Sequence, residues 1–393
     1  MPSLNRPSPE TISEATAASD GASAVTPPPA IEAGRLTLCQ FYDVGFSIDL
    51  DRAQNLLAQR SASRHAPAQA RQSGSIQIAQ PPLRVDLGEQ TAALGSLTGR
   101  GSLRAGIYDL GVVVLTLDLD LPPNTSWSTV GQILNAWQEP PPSLRELFSQ
   151  AVDGLTTEIN PAITRPERSS IIEDYSILTV NRLVEATPAD IAGHPLVLAA
   201  LLGEQRALSP TATRLIASLS YFPEDLALLS WNGALLIEPD PAAAQTAQEL
   251  IEFANVELLL MRSYDADIDA ELPRVYRRIE GASSRFHLPF VRRYSLLMHD
   301  VQRLVIEVTE VTERVDNALK VTDDVYWNRL YSALLTVLRV QMWRQGVEHK
   351  LVLLRETYGM LHDESDAERA TTLEVTVIIL IAVEIVMALL RAH

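Results

Sequence analysis

Between Arg35 and Asp240, short runs of alternating or continuous apolar residues are separated by turn residues; beyond Asp240, apolar positions recur every three or four. The first pattern predicts strands and the second amphipathic helices. RLTLCQFYDVGFSIDL reads as a strand or hairpin, and DRAQNLLAQR as a helix. PPLRVDLGEQ, SLRAGIYDLGVVVLTLDLDL and IIEDYSILTVNRLV read as further strands. FYDVG at 41–45 is echoed by IYDLG at 107–111, which suggests a duplicated βαβ-type unit. Helix starts are marked by Ser126, by a Ser143–Glu146 capping box, and by Thr187-Pro188 and Ser209-Pro210. Asn232-Gly233 inside DLALLSWNGALLIEP is a hairpin turn signal. The predicted fold class is an α+β N-terminal domain over 35–239, preceded by a disordered Ser/Thr/Pro/Ala-rich tail over 1–34.

Residues 240–370 predict a helical coiled-coil region. In the first helix Ile251, Ala254, Leu258, Met261, Tyr264, Ile268, Leu272, Val275 and Ile279 form one stripe, with Pro273 expected to kink it. Leu297 to Ala318 and Leu330 to Leu361 then show heptad spacing on either side of VTDD, which predicts a long antiparallel hairpin. Arg344 is the charged residue in that seam. Reflection about the turn places it opposite Asp300, so an Arg344–Asp300 contact is expected to set the register, against the simpler alternative of an Arg that snorkels to solvent.

The chain closes on TTLEVTVIILIAVEIVMALLRAH, 371–393. Leu373 to Leu390 is eighteen residues, about 27 Å of helix at ~1.5 Å per residue, close to the hydrocarbon thickness of a bilayer. Its twelve Leu, Ile and Val residues favour insertion by roughly 4 to 7 kcal/mol, against about 3 for a mid-helix Glu384, while Glu374 lies near one end. Ile378, Ile379, Leu380 and Ile381 cover every side, so a surface-lying amphipathic helix is disfavoured. The expectation is a C-terminal transmembrane helix, with a buried helix of an oligomer and a partner helix as alternatives. Glu374 and Glu384 are the expected anchor and assembly residues.

Charge sharpens this picture. The formal net charge is -17, which excludes general nucleic-acid binding. Against that background, RVYRRIEGASSRFHLPFVRR at 274–293 concentrates Arg274, Arg277, Arg278, Arg285, Arg292 and Arg293. These six are expected to meet lipid headgroups or another anion, or to pair internally with Asp363, Glu364, Asp366 and Glu368. The single cysteine, Cys39, lies in an apolar run and reads as a core residue. No secretory or transit segment is read at the N-terminus.

Candidate chemistry is sparse. GRGSLRAG at 99–106 fits no dinucleotide fingerprint and reads as a mobile hairpin loop. DADIDAE at 265–271 has no central Gly for a calcium loop and reads as a solvated helix face. HDESD at 362–366 reads as a polar hinge. The histidines form no zinc spacing, and there is no nucleophile elbow. No catalytic residue, metal or cofactor is expected.

ERVDNALKVTDDVYWNRLY at 313–331, the helix that follows, Arg369, Leu373-Glu374 and VIILIAVEIV at 377–386 together resemble the family named for "required for meiotic nuclear division". Val375 stands where that family commonly has Trp. The resemblance covers about 290–390. It implies an α+β region, a helical hairpin and a C-terminal transmembrane helix, with no catalytic residues. Mitochondrial members resemble homo-oligomeric inner-membrane assembly factors that support organellar translation. The expected protein is therefore a bacterial, tail-anchored oligomeric scaffold or assembly factor, supporting translation or membrane-protein biogenesis by that resemblance. Its N-terminal domain would lie in the cytoplasm, and its partners would be membrane lipids, further copies of itself and an unknown protein. The alternative is a membrane-tethered hydrolase or nucleotide-binding enzyme with its site in the α+β domain.

Overall fold

The computed structural model describes residues 26–60, 62–64, 76–78, 80–206, 208–283, 302–303, 305–306, 308–310, 312–315, 319–321 and 325–391. Its strands are β1 Ile31–Asp43, β2 Gly45–Ile48, β3 Ala62–Arg64, β4 Ile76–Ile78, β5 Leu83–Leu94, β6 Leu97–Ile107, β7 Val112–Asp120, β8 Ile163–Pro166, β9 Ile172–Leu183, β10 Ala217–Leu219, β11 Leu226–Leu229, β12 Gly233–Ile237 and β13 Leu319–Val321. Its helices are α1 Leu50–Leu56, α2 Trp127–Gln138, α3 Pro142–Ile159, α4 Pro188–Ile191, α5 Pro195–Leu201, α6 Pro210–Thr213, α7 Pro241–Ser283, α8 Val325–Val337 and α9 Val340–Arg391. Nine strands form one sheet in the order β10-β11-β12-β9-β1-β7-β6-β5-β3. Its pairings are antiparallel except β12 with β9, where the intervening elements provide the crossover a parallel pair requires.

The sheet is apolar on both faces, which is why its central strands read as nearly continuous hydrophobic runs. Along β1, Leu36 and Leu38 join the core beneath α1, α2, α3 and α5, while Cys39 and Phe41 join the core beneath α7, α8 and α9. β7 divides likewise: Val113, Leu115 and Leu117 face the first layer, Val112 and Val114 the second. The region after Asp240 therefore packs on the sheet. Ile251, Ala254, Leu258, Met261 and Ile268 of the predicted stripe are all buried in that second core.

Local signals decide most helix starts. Ser126 Oγ accepts from Thr129 N at 3.1 Å, Ser209 Oγ from Ala212 N at 3.2 Å, and Asp190 reaches back to Thr187 N at 2.8 Å. The Ser143–Glu146 box does not form: α3 begins at Pro142, whose fixed φ suits a first helical position. Asn232-Gly233 closes the β11–β12 hairpin as expected. Gly99 to Gly106 belongs to β6, so this stretch is a strand rather than a loop. IYDLG is the β6–β7 turn and FYDVG the end of β1. They meet where Val44 N donates to the Gly111 carbonyl at 2.9 Å, within antiparallel pairing that contains no βαβ duplication.

The return arm of the expected hairpin is interrupted, while part of its first arm, 297–318, lies outside the described residues. The return helix breaks between α8 and α9 at Arg339, which has a left-handed φ of 54°. α9 runs alongside α7, residue 257 meeting 344 and residue 269 meeting 350. The expected polar hinge at 362–366 is continuous helix, and α7 runs through Pro273. Among the described residues no helix is long and apolar enough to cross a membrane. This overturns the expected C-terminal transmembrane helix, the single-pass anchor and the membrane localisation built on it. The apolar end of α9 carries two carboxylates, Glu374 and Glu384, each costly to place in hydrocarbon.

Gly111 sits at the junction of the two YD motifs with φ +84°, and a Cβ there would overlap the Gly45 carbonyl. Gly111→Ala should lower stability by about 2–4 kcal/mol in urea unfolding. Gly99→Ala, whose Cβ meets nothing within 4 Å, is the matched control. Equal midpoints for the two variants would contradict the close crossing.

Candidate functional site

The sheet face under α7 is not wholly apolar, and its polar half collects the charged groups of the protein interior. Thr37 Oγ1 donates to Asp118 Oδ1 at 2.6 Å, and Arg104 pairs with the other carboxylate oxygen. Beside them Arg84 Nη1 donates to Glu252 of α7 at 2.5 Å, and Tyr108 Oη donates to the same oxygen at 3.2 Å. Gly106 makes this possible: a Cβ there would lie 2.8 Å from Arg84 Nη1. Glu249, one turn earlier on α7, accepts from Gln245 through one oxygen, while its Oε2 is buried without a hydrogen-bond partner. Burial pushes the Glu249 carboxyl up against the opposing attraction of Arg84. Burial and the neighbouring Glu252 likewise hold the Tyr108 hydroxyl protonated.

The opposite side of α7 carries a second row. Glu257, 3 % exposed at its side chain, accepts from Arg344 Nη2 of α9 at 2.5 Å and from Tyr331 Oη of α8 at 2.9 Å. Arg262 pairs with Glu173 of β9 and lies 5.5 Å from the Trp343 ring. Lys350 Nζ bridges Asp265 and Asp269 at 2.7 Å each, so the DADIDAE face is partly docked on α9.

Where β1 ends, Asp43 lies below α7. Burial, its largest influence, pushes the carboxyl up to about 7; Asp267 and Glu167 add to the rise, and hydrogen bonds from Ser263 and the Gly45 N–H oppose it. Glu173 is likewise raised by burial, against the attraction of Arg262. Nearby Arg314 Nη2 donates to the Asp109 carbonyl at 2.7 Å, and Arg165 stacks 3.9 Å from the Phe46 ring centre with a left-handed φ of 50°. Clustered raised carboxyls and a strained residue are features of functional sites. Here, however, Asp43, Glu173 and Glu252 line neither of the two open clefts described on the surface. Their geometry locks α7 to the sheet.

Few of the residues singled out in the sequence join this network. Arg344 does, through Glu257; Asp300 lies outside the described residues, as do Arg285, Arg292 and Arg293. Arg274, Arg277 and Arg278 lie on α7 beyond Pro273. Glu374 and Glu384 are exposed on α9. Cys39 is fully buried in the second core, as its apolar context predicts. Sequence reading missed Arg84, Glu252, Glu257 and Glu173. The available signal was polar residues standing in the apolar stretch of α7: Glu252, Asn255 and Glu257 are buried along with every other residue from Leu250 to Met261.

Fold and interior together define a mixed-sheet protein covered by helices on both faces, with a charged layer sealing the second cover. The chain belongs to the family described as "Uncharacterized protein MJ0711, N-terminal domain", which matches residues 33–244. A relative, "Uncharacterized protein MJ0711" of Methanocaldococcus jannaschii, is 23% identical over 175 residues, 44% of this chain and 52% of that protein. The chain thus spans about half the length of the curated relative it matches. No solved structure matches.

Two expected outcomes follow from the charged layer. Arg344→Met strands Glu257 in the interior and should destabilise by about 3 kcal/mol, whereas Arg344→Met with Glu257→Leu should recover most of that loss in urea unfolding. A double variant no better than the single would show that Glu257 is not the group harmed. Asp43 binds its proton more tightly when folded, so its contribution is complete below its unfolded pKa near 4. It is lost as pH rises through about 7. Asp43 should contribute a fall of up to about 4 kcal/mol across that window, and Asp43→Asn should reduce the slope, with Glu173, also raised to about 7, supplying what remains. A parental profile that matches that of the variant would rule this out.

Proposed function

We propose that the protein is an oligomeric scaffold, assembled through the C-terminal part of α9, whose sheet domain presents surfaces to a protein partner. The observation that carries this reading is the apolar run of α9. Val377, Ile378, Ile379, Leu380, Ile381, Val383, Ile385, Val386 and Met387 are each 51–64 % exposed in the single chain. Contiguous apolar surface of this kind marks an interaction site. Because it covers every side of the helix, one neighbour leaves much of it wet, whereas a bundle of copies covers it with the symmetry usual for homo-oligomers.

Ile378, Ile381 and Ile385 have the three–four spacing of a coiled-coil seam. Isoleucine at both core positions favours three or four strands over two. The resemblance to the "required for meiotic nuclear division" family supports the same reading, since its mitochondrial members resemble homo-oligomeric assembly factors. An assembly role in translation is the finer form of the proposal. The inward position of Asp43, Glu173 and Glu252 favours a scaffold over an enzyme.

Native mass measurement tests the assembly. The full chain should be a trimer or tetramer, and Ile378→Ser with Ile381→Ser should be a monomer with unchanged helix content. Glu384 falls beside this seam, so copies bring like charges together; Glu384→Gln should tighten assembly by roughly tenfold, about 1.4 kcal/mol. A monomeric full chain at the same concentration would sink the proposal.

A further inference from the structure

The larger cleft lies away from both the charged layer and the apolar end of α9. It opens between the β10–β11 connection, the corner where β12 turns into α7, and the first turn of α8, and holds about 550 Å³. That volume is in the range of ordinary ligand sites. Its aromatic walls are Tyr221, Phe222, Tyr326 and Trp327. Tyr221 meets Phe222 edge-on at 4.9 Å, and Tyr326 meets Trp327 edge-on at 4.9 Å. Tyr221 and Tyr326 join the two pairs at 5.9 Å and 60°. Tyr221 and Phe222 are the exposed members of this cluster, Tyr326 is half-buried and Trp327 is buried.

Exposure of the first pair is built in. Tyr221 and Phe222 are 57 % and 61 % exposed, yet their backbone is fixed. The Asp225 carboxylate, itself buried, accepts from Tyr221 N at 2.7 Å and from Phe222 N at 2.9 Å. The turn thus holds two large apolar side chains in water, which costs free energy unless something covers them.

Charge selects what that is. Glu224, Asp225, Glu238 and Asp240 line the cleft, and no Arg, Lys or His is among its described lining residues. The N-termini of α7 and α8 also point to this region, each worth about half a positive charge. Together they amount to about one charge; Asp225 already accepts from Tyr221 N and Phe222 N and Asp240 from Ala242 N, so Glu224 and Glu238 are the carboxylates best placed for a cation. Burial, and to a lesser degree Asp225 and Asp240, push the Glu238 carboxyl up, against a hydrogen bond from Asp240 N.

We propose that this cleft binds an arginine side chain of a basic peptide, its guanidinium packed among the Tyr221, Phe222 and Tyr326 rings, stacked on one of them, and paired with Glu224 and Glu238. A guanidinium suits these walls better than an ammonium. It is flat, stacks on aromatic faces, and carries donors enough for two carboxylates at once. A cleft of about 550 Å³ has room for a side chain while the peptide backbone stays outside. The overall charge of -17 draws a basic segment toward the protein. This inference goes beyond the assembly proposed for α9 and does not depend on it.

Calorimetry on the full chain tests it, with an acetylated and amidated Gly-Arg-Gly-Arg-Gly peptide as probe and its citrulline counterpart as the neutral isostere. The arginine peptide should bind, and citrulline should weaken binding by at least about tenfold, or 1.4 kcal/mol. Phe222→Ala and Glu238→Gln should each weaken it comparably; the first removes an exposed ring and the second keeps the hydrogen bond to Asp240 N, so both should fold. Binding should also fall as salt rises. Absence of binding, equal binding of the citrulline peptide, or undiminished binding to both variants would overturn the proposal.

Discussion

Everything in this protein depends on a sheet with two apolar faces. β1 is hydrogen-bonded to β7 on one side and β9 on the other, and its successive residues Leu38 and Cys39 point into different cores. Neither face can be left to water. The first is closed by helices inserted between strands, each within a short span of sequence. The second is closed by α7 and the helices after it. α7 is the element on which the two halves of the chain depend, and its contacts with β1, β7 and β9 make one packed unit of them.

That closure uses ion pairs where hydrocarbon would have served. Burying a carboxylate and a guanidinium costs several kcal/mol for each ion before their attraction offsets it. Such pairs are therefore weak grounds for stability and better grounds for position. Arg84 reaches Glu252 from β5, Glu173 reaches Arg262 from β9, and Arg344 reaches Glu257 from α9. A sliding or rotated α7 would strand all of them at once, whereas an apolar interface would tolerate the slip. The charged layer thus fixes the register of α7 on the sheet and of α9 on α7.

Much of this was legible in local pattern. Strand runs, helix caps at Ser126 and Ser209, the hairpin at Asn232-Gly233 and the buried stripe of α7 follow from periodicity and turn chemistry, which act over a few residues. What failed depended on distant partners. GRGSLRAG looks like a loop because Gly is permissive, but its glycines admit neighbours: Gly101 the backbone of Asp118 and Gly106 the side chain of Arg84. The heptads of the helical region were real as apolar stripes but misassigned. A stripe does not state whether it faces another helix or a sheet: the arm read over 330–361 breaks at Arg339 and continues along α7, while part of the other arm, 297–318, lies outside the described residues. Arg344 was recognised as an anomaly in its seam; its pairing with Glu257 was not foreseen, because only the fold brings residues 87 positions apart together, and Asp300 lies outside the described residues.

The family match gives the same dependence a further consequence. Residues 33–244 contain the nine-stranded sheet and the helices of its first face, and end in the first turn of α7. Taken alone, that segment would expose Cys39, Phe41, Val114 and Ile177, and would leave Arg84 and Glu173 without Glu252 and Arg262. An exposed apolar sheet face with stranded charges is not a stable end state. A protein sharing only the matched segment must therefore cover this face with another element or another chain. The second face, rather than the sheet, is where members of the family have room to differ in architecture and in what they bind.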